Sequence, residues 1–591
     1  MIIQSLVRYY NQLRDDPEVD IATPGWCACN VKYLIELLPD GTVNAIVPQG
    51  DGKHGVEMIV PEQVKRSSGI APNFLCDKTS YLLGIGSEET AERDLKCFEA
   101  SKALHRQLLS NAKGKTASAI LGFFDKWNPE TVPESIPGLN GGLALKDGNL
   151  LFCLADGSLR QKANEDVSIR EVWNSSIQTD SSLPSMLSLS TGRRGAIARL
   201  HPPIKGVRDA ASSGGSLVGF NADSFTSYGH AGEQGLNAPI DVESAQAYTA
   251  ALNYLLKQSD HRAYLGDTTI AFWSASHTSD YGNCSIFSLV MGMGSFADAE
   301  SEAIATANLK AVLGKLTKGE SASVENASFG DEFYLLGLAP NKARLQVRFF
   351  LHDSFGEMMR HLADHYRISD VCHADFEPSF VSPRLLLRSL INPKLKKTAV
   401  QKEMAALSQL NAALLRSILQ GARYPESLFE RVLLRIRTSR EVRREHAAII
   451  RAYLIRNARL SEKEITVGMN KENGGEAYVL GRVFAVLEQI QEAANDKATI
   501  AESYLNAACA TPATTFPILL KLSVAHQKKL ARDKPGLCIN LKKTLGELLE
   551  GCQMVFPKRL SLVEQGSFLL GYYQQRQARY QKKSEQKLNE Q

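Results

Sequence analysis

The sequence has no apolar run near the roughly 18 residues that a membrane-spanning helix needs. It also has no cysteine pair with the spacing of a zinc knuckle or a thioredoxin-type site, and no internal repeat. Each absence removes a class. The ten cysteines stand singly apart from Cys27 and Cys29, which fits a reduced, cytoplasmic chain. Met1 to Leu13 forms an amphipathic pattern containing Arg8, without the apolar centre of a secretory signal. Two hydrolase signatures are missing as well, the GxSxG elbow and the HExxH zinc motif. The reading is a chain that is not an enzyme and uses no cofactor.

What is present is enough apolar sequence for several cores, 44% of 591 residues, and an uneven charge. The formal net charge is only +4, yet Arg384 to Arg459 holds 17 Lys or Arg against 5 Asp or Glu, leaving 51 basic and 59 acidic residues elsewhere. Asymmetry of this size predicts an anionic partner for that stretch.

Organisation follows from periodicity and turn chemistry. A short helix opens the chain around Leu6 to Leu13. Val31, Tyr33 and Ile35 alternate with polar residues, Pro39-Asp40-Gly41 supplies a turn, and Val43 to Val47 returns as a hairpin partner. Val56 to Val60 is a further strand, and helices are predicted at Ala91 to Leu109 and Thr116 to Trp127. The Ser-rich interval Asn174 to Ser190 reads as a loop, as does Ser212-Ser213-Gly214-Gly215. Strands are expected at Thr269 to Trp273, Phe333 to Leu338 and Arg344 to Phe350, with helices at Ser244 to Lys257 and Ala297 to Leu313. Beyond residue 351 helical spacing takes over, including Leu428, Val432, Ile436 and then Val442, Ile449, Tyr453, with Thr438 and Glu441 as a capping box. From Glu476 to Tyr573 the pattern is that of a bundle, and Gln581 to Gln591 is polar enough to be disordered. The fold class is α+β: a mixed α/β region over 1–350 with a sub-boundary near 174–190, a basic helical region over 351–468, and a helical bundle over 469–591.

Three groups of residues suit nucleic acid. Arg440, Arg444 and Arg451 are spaced by four and seven, placing them on one stripe of a single helix able to follow a phosphate backbone; the alternative is a solvated face. Aromatic residues are sparse there, so base stacking is not indicated. Lys65, Arg66, Ser67, Ser68 and Asn73 combine cations, hydroxyls and an amide able to pair with a base edge, against the plain reading of a surface turn. Lys205, Arg208 and Asn221 flank the Ser-Gly loop, which lacks the Gly-Lys-Ser/Thr ending of a nucleotide-binding loop. For a metal-dependent nuclease, the candidates are His361 and His365 on one helix face with Cys372, His373 and Asp375 downstream, though no Glu stands beside the first His to act as base.

Several segments together resemble a known family. Val64-Lys65-Arg66-Ser67-Ser68-Gly69-Ile70-Ala71-Pro72-Asn73-Phe74-Leu75-Cys76-Asp77, Ile197-Ala198-Arg199-Leu200-His201-Pro202, Lys205-Gly206-Val207, Val218-Gly219-Phe220-Asn221-Ala222 and Phe568-Leu569-Leu570-Gly571-Tyr572-Tyr573 look like the large subunit of the type I-C CRISPR surveillance complex, Cascade. One departure is Ser188, where the family pattern leads us to expect a Cys opening Ser188-Leu189-Ser190-Thr191-Gly192.

The resemblance implies a non-catalytic subunit beside the guide RNA that inspects duplex DNA for the protospacer-adjacent motif, supports the R-loop and the displaced strand, and helps recruit the helicase-nuclease. Guide pairing then reads the target, a division of labour general to RNA-guided recognition. The partners implied are guide RNA, double-stranded target DNA, the Cascade backbone and guide-processing subunits, and a small subunit. It makes Lys65, Arg66, Ser67, Ser68 and Asn73 the motif-reading loop, with Asn73 as base reader, and Lys205, Arg208 and Asn221 backbone contacts. It also implies a separate small subunit made by internal translation, for which Met469 is the matching start.

Overall fold

The computed structural model describes residues 1–19, 21–50, 55–64, 66, 69–86, 90–131, 136–139, 148–178, 183–226, 229–230, 232–291, 327–374, 377–378, 380–495, 500–550 and 555–589. The predicted helix at 297–313 lies outside them. The chain forms two compact units, Met1–Ile204 with Ser216–Tyr254, and Lys205–Gly215 with Leu255–Gln591.

In the first unit, α1 (Ile2–Asp15) precedes β1 (Trp26–Leu37), β2 (Val43–Pro48), β3 (Val56–Pro61) and β4 (Cys76–Lys78). Then come α2 (Thr79–Leu82), α3 (Ala91–Leu109), α4 (Lys115–Lys126), β5 (Asn149–Asp156), β6 (Leu159–Lys162), α5 (Val167–Gln178), β7 (Ser185–Leu187), β8 (Arg194–Ala196) and α6 (Val242–Lys257). The long β1 serves two antiparallel neighbours on one side, β3 through Trp26 to Val31 and β2 through Tyr33 to Leu37. On its other side β5 runs parallel, and β4 and β6 pair with β5 to complete a six-stranded sheet. The Asp40 turn is built as its residues predict. Its carboxylate accepts hydrogen bonds from the Thr42 backbone and hydroxyl and from Lys126. Gly41 takes φ +88°, and a Cβ there would meet the Gly122–Phe123 backbone at 2.4 Å. Phe123 and Phe124 of α4 pack on Phe152 of β5, with Phe98 of α3 against Phe124 and His105 between Phe124 and Phe152, closing this unit's core.

The second unit carries β9 (Arg262–Leu265), β10 (Thr268–Ser274), α7 (His277–Val290), β11 (Glu332–Asn341) and β12 (Arg344–Ser354), the strands forming an antiparallel sheet in the order β12-β11-β10-β9. Helices follow: α8 (Phe355–Ser369), α9 (Pro383–Ser389), α10 (Lys397–Ala406), α11 (Ser408–Leu419), α12 (Glu426–Ser439), α13 (Arg444–Arg456), α14 (Glu476–Asn495), α15 (Ile500–Ala510), α16 (Pro512–Asp533), α17 (Pro535–Glu550) and α18 (Leu562–Asn589). The passage from strands to helices thus falls at the end of β12, where Ser354 caps α8 by accepting from Glu357 N–H. One buried apolar cluster runs from Ala263 to Tyr573, so the sheet and the helices after it share a core. Its tightest helix pair is α14 with α18. A Cβ on Gly481 would come within 1.9 Å of the Phe568 carbonyl oxygen, and one on Gly571 within 2.3 Å of that of Tyr478, so only glycine permits this approach. Tyr478 donates to Gln574 at 2.6 Å and Tyr572 to Glu488 at 3.0 Å across the same seam.

Three local expectations are corrected. The interval Asn174 to Ser190 is not one loop: α5 runs on to Gln178, and Ser185–Leu187 pairs with Arg194–Ala196 as a hairpin. Thr438 lies inside α12, its hydroxyl bonded to the Leu434 carbonyl, and the reciprocal cap at the next helix is made by Arg443 and His446. The tail expected to be disordered continues α18 as far as Asn589.

Candidate nucleic-acid interface

The segment between β3 and β4 is organised around Asp77, which is 1% exposed. Its carboxylate accepts both Nη groups of Arg66, one of them at 2.8 Å, and the backbone N–H groups of Asn73 (2.8 Å) and Lys78 (2.8 Å). Arg66 lies over the Tyr81 ring, 3.9 Å from its centroid, and donates through Nε to the Ala71 carbonyl. A guanidinium with all three nitrogens bonded and one face on a ring is a fastener. Below it Phe74 stacks on Trp173, and the strained Leu75 (φ +59°) donates its N–H to His105 Nε2 at 3.0 Å. His105 is buried, and its Nδ1 bonds the Ser101 carbonyl at 2.7 Å. Burial pushes its pKa down to about 4.

Asn73 is placed differently from the base reader expected. It is 5% exposed, its Oδ1 accepts from Val64 N–H at 2.8 Å, and its Nδ2 donates to Gln63 Oε1 at 2.7 Å. Both ends of the amide are engaged inside the protein, so in this conformation Asn73 holds the loop. Lys65, Ser67 and Ser68 lie outside the described residues. Val64, Gly69 and Ile70 beside them are exposed, and the space around Gly69 is open. Asp77, Tyr81 and Gln63 are the residues whose part in this clasp spacing alone did not indicate.

The Arg stripe is corrected. Arg440 sits in the left-handed region (φ 56°) as the cap that ends α12, exposed but off the next helix. Arg444 and Arg451 on α13 are 9% and 2% exposed. Arg451 donates to the Ile465, Thr466 and Arg367 carbonyls at 2.9–3.2 Å, and Arg444 to that of Pro378, tying loops to the helix. The cations this basic stretch does expose include Arg384 and Arg388 on α9 and Lys394, Lys396 and Arg416.

Lys205 and Arg208 are exposed in the second unit, Arg208 with its guanidinium 3.7 Å above the Tyr264 ring, and Asn221 is exposed in the first. Arg193, Arg194 and Arg199, on and beside the β7–β8 hairpin, add exposed cations not anticipated as a group. Ser188 is buried there. Its hydroxyl donates to Asp241 Oδ2 at 2.6 Å, a carboxylate that Ser190 and Ser244 also reach, so the residue standing for the expected Cys pins the hairpin to the start of α6.

The histidine group proposed for a nuclease is not assembled. His365 is buried against Tyr424 OH at 2.6 Å, His373 bonds the neighbouring Ala374 carbonyl, His361 lies beside Glu357, and Asp375 is outside the described residues. The group close enough to hold a metal among the described residues is a different one, His261, Asp280 and Cys284. No helix of the described residues is long and apolar enough to cross a membrane.

A comparison with curated proteins finds no match. The family model described as CRISPR-associated protein (Cas_Csd1) matches residues 6–580, almost the whole chain. The segments of the resemblance, from the Asp77 clasp to α18, fall inside that match, and the chain belongs to the Cas_Csd1 family, the large subunit of type I-C Cascade.

Proposed function

We propose that this Cascade subunit inspects double-stranded DNA for the protospacer-adjacent motif through the loop fastened by Asp77. The observation that carries the reading is the clasp itself, Arg66, Asp77 and Asn73 fixing both ends of a short segment whose sequence offers Lys65, Ser67 and Ser68. Arg66 and Asn73 hold the loop, and Lys65 beside Arg66 together with the residues between Arg66 and Asn73 meet the DNA. Cations and hydroxyls there bind phosphate and base edges, and a rigid base lowers the entropy lost on binding. Lys205, Arg208 and Asn221 contact nucleic-acid backbone. Arg440, with the exposed arginines of α9, attracts the displaced strand, while Arg444 and Arg451 position the loops beneath. Guide RNA, backbone and guide-processing subunits, a small subunit and the helicase-nuclease are the partners in this reading, with the subunit supporting the R-loop and recruiting the nuclease.

The test is carried out on the assembled complex. Tagged chain is expected to copurify with repeat-derived guide RNA and backbone subunits. Changing Lys65, Ser67 and Ser68 together to Ala is expected to weaken binding to a duplex with the correct adjacent motif by about tenfold or more. Binding to a target already single-stranded should change far less. Undiminished discrimination between correct and incorrect motifs in that variant overturns the proposal.

The bundle from Met469 to Gln591, 123 residues, is also made separately as the small subunit in this reading. Supporting it, the α14–α18 seam through Gly481 and Gly571 lies wholly within that segment. Expression of the full gene is expected to give a second polypeptide of that size. It should vanish when Met469 is replaced by a codon that cannot start translation; persistence at the same size refutes the assignment.

A further inference from the structure

His261, Asp280 and Cys284 form a buried cluster that nothing in DNA inspection uses. They are 6%, 3% and 0% exposed, within the apolar core of the second unit. His261 precedes β9, and Asp280 and Cys284 are four residues apart on one face of α7. His261 Nε2 lies 3.8 Å from Asp280 Oδ2, Cys284 Sγ lies 3.4 Å from Asp280 Oδ1, and one ligand atom from each residue falls within 4.8 Å of the others. Bonds of about 2.0–2.3 Å to a tetrahedral zinc ion place its ligand atoms about 3.3–3.8 Å apart, so the cluster needs only side-chain adjustment to close on a metal.

The surroundings orient it in the same sense. His261 Nδ1 lies 3.1 Å from the Phe272 carbonyl oxygen and 3.4 Å from Cys284 Sγ, and Ser274 N–H donates to Asp280 Oδ1 at 2.6 Å, contacts that hold the three side chains facing one another. A buried carboxylate beside a thiol is otherwise costly, and burial together with Asp280 raises the Cys284 thiol well above its ordinary range. A divalent cation reverses that cost by binding the thiolate.

We infer that His261, Asp280 and Cys284 bind a zinc ion that locks α7 onto the β9–β10 edge of the sheet. Three protein ligands leave the fourth position to a small ligand such as water, and because all three lie in the core the ion's part in this inference is to hold α7 in place. Binding releases the thiol proton to solvent, with no change of oxidation state.

The experiment uses the full chain, purified without chelator. Elemental analysis is expected to find about one equivalent of zinc. Removal by a strong chelator should lower Tm, and zinc should restore it. Cobalt taken up in its place should show a thiolate-to-cobalt charge-transfer band, absent from Cys284→Ser. Folded wild-type chain without zinc, whose Tm ignores both chelator and zinc, overturns the inference. So does a cobalt band unchanged in Cys284→Ser. Should that variant fail to fold, the metal content and cobalt spectrum of the wild type decide.

Discussion

Asp77→Ala is expected to unfasten the candidate DNA-reading loop and abolish motif-dependent target binding while leaving guide-RNA association in place. The carboxylate is buried and collects four donors, two from Arg66 and one each from the Asn73 and Lys78 backbones. Removing it leaves the Arg66 guanidinium over Tyr81 without its counter-ion and returns those N–H groups to no acceptor. Breaking a buried pair from one side costs about 3–5 kcal/mol. Because Arg66 retains 20% side-chain exposure, its guanidinium can turn to water, and the loss falls on the loop rather than the whole unit. Amide exchange should therefore rise at Val64 and Asn73, whose N–H groups are held by Asn73 and Asp77, and stay unchanged in α3 and α4. Asp77→Asn keeps the shape but sets an amide NH2 against Arg66, and should fall between. Wild-type exchange at Val64 and Asn73, together with wild-type motif discrimination, would falsify the clasp as the support of recognition.

What was legible in the sequence was local. The β1–β2 hairpin is announced by alternation and by Pro39-Asp40-Gly41, α3 and β10 are expected at nearly their observed bounds, and β11 and β12 are marked as a hairpin by Ala339-Pro340-Asn341-Lys342 between them. The central strand β5 was not foreseen, because Leu150 to Ala155 is buried on both faces, which removes the period-two signal, and its parallel partner β1 lies far away in sequence. The candidate site shows the same limit. Residue types pointed to the segment from Lys65 to Asn73, but which groups face inward depends on Asp77, Tyr81 and Trp173. The Arg stripe failed because spacing of four and seven assumes one unbroken helix, whereas Arg440 ends α12, and the acceptors of Arg451 come from Arg367, Ile465 and Thr466. His261, Asp280 and Cys284 escaped notice because the histidine is 23 residues from the cysteine and on another element.

Acidification is expected to destabilise both units steeply between about pH 6.5 and pH 4, through three histidines buried in the neutral form. In His105 the acceptor nitrogen is occupied by Leu75 N–H, and in His446, Nδ1 accepts from Arg443 N–H at 3.3 Å while Nε2 is 3.2 Å from the Ser389 carbonyl oxygen. Protonation would set N–H against N–H in both. In His365, Nδ1 is paired with Tyr424 OH and Nε2 has no hydrogen-bond partner among the described residues, so a second ring proton would find no acceptor. Burial first, with Arg456 adding to it at His365, lowers these pKa values to about 4 for His105 and His446 and about 3 for His365. The unfolded chain binds these protons near pH 6.5 and the folded chain does not, so stability is complete above about pH 6.5 and falls as pH drops toward the folded values. Each ring contributes about 2 kcal/mol at pH 5, hence about 4 kcal/mol in the second unit, which holds His365 and His446, and about 2 kcal/mol in the first. Denaturant melts at pH 7 and pH 5 measure this, and His446→Asn, which keeps an acceptor for Arg443 N–H, should remove about half of the second unit's acid sensitivity. The same mechanism reaches the candidate interface, since protonating His105 releases Leu75 beneath the Asp77 clasp: protection of the Leu75 amide, measured against its unfolded-chain exchange rate at the same pH, should fall on acidification ahead of protection in the strands, and equal acid sensitivity in a His105→Gln variant would show that another group titrates there.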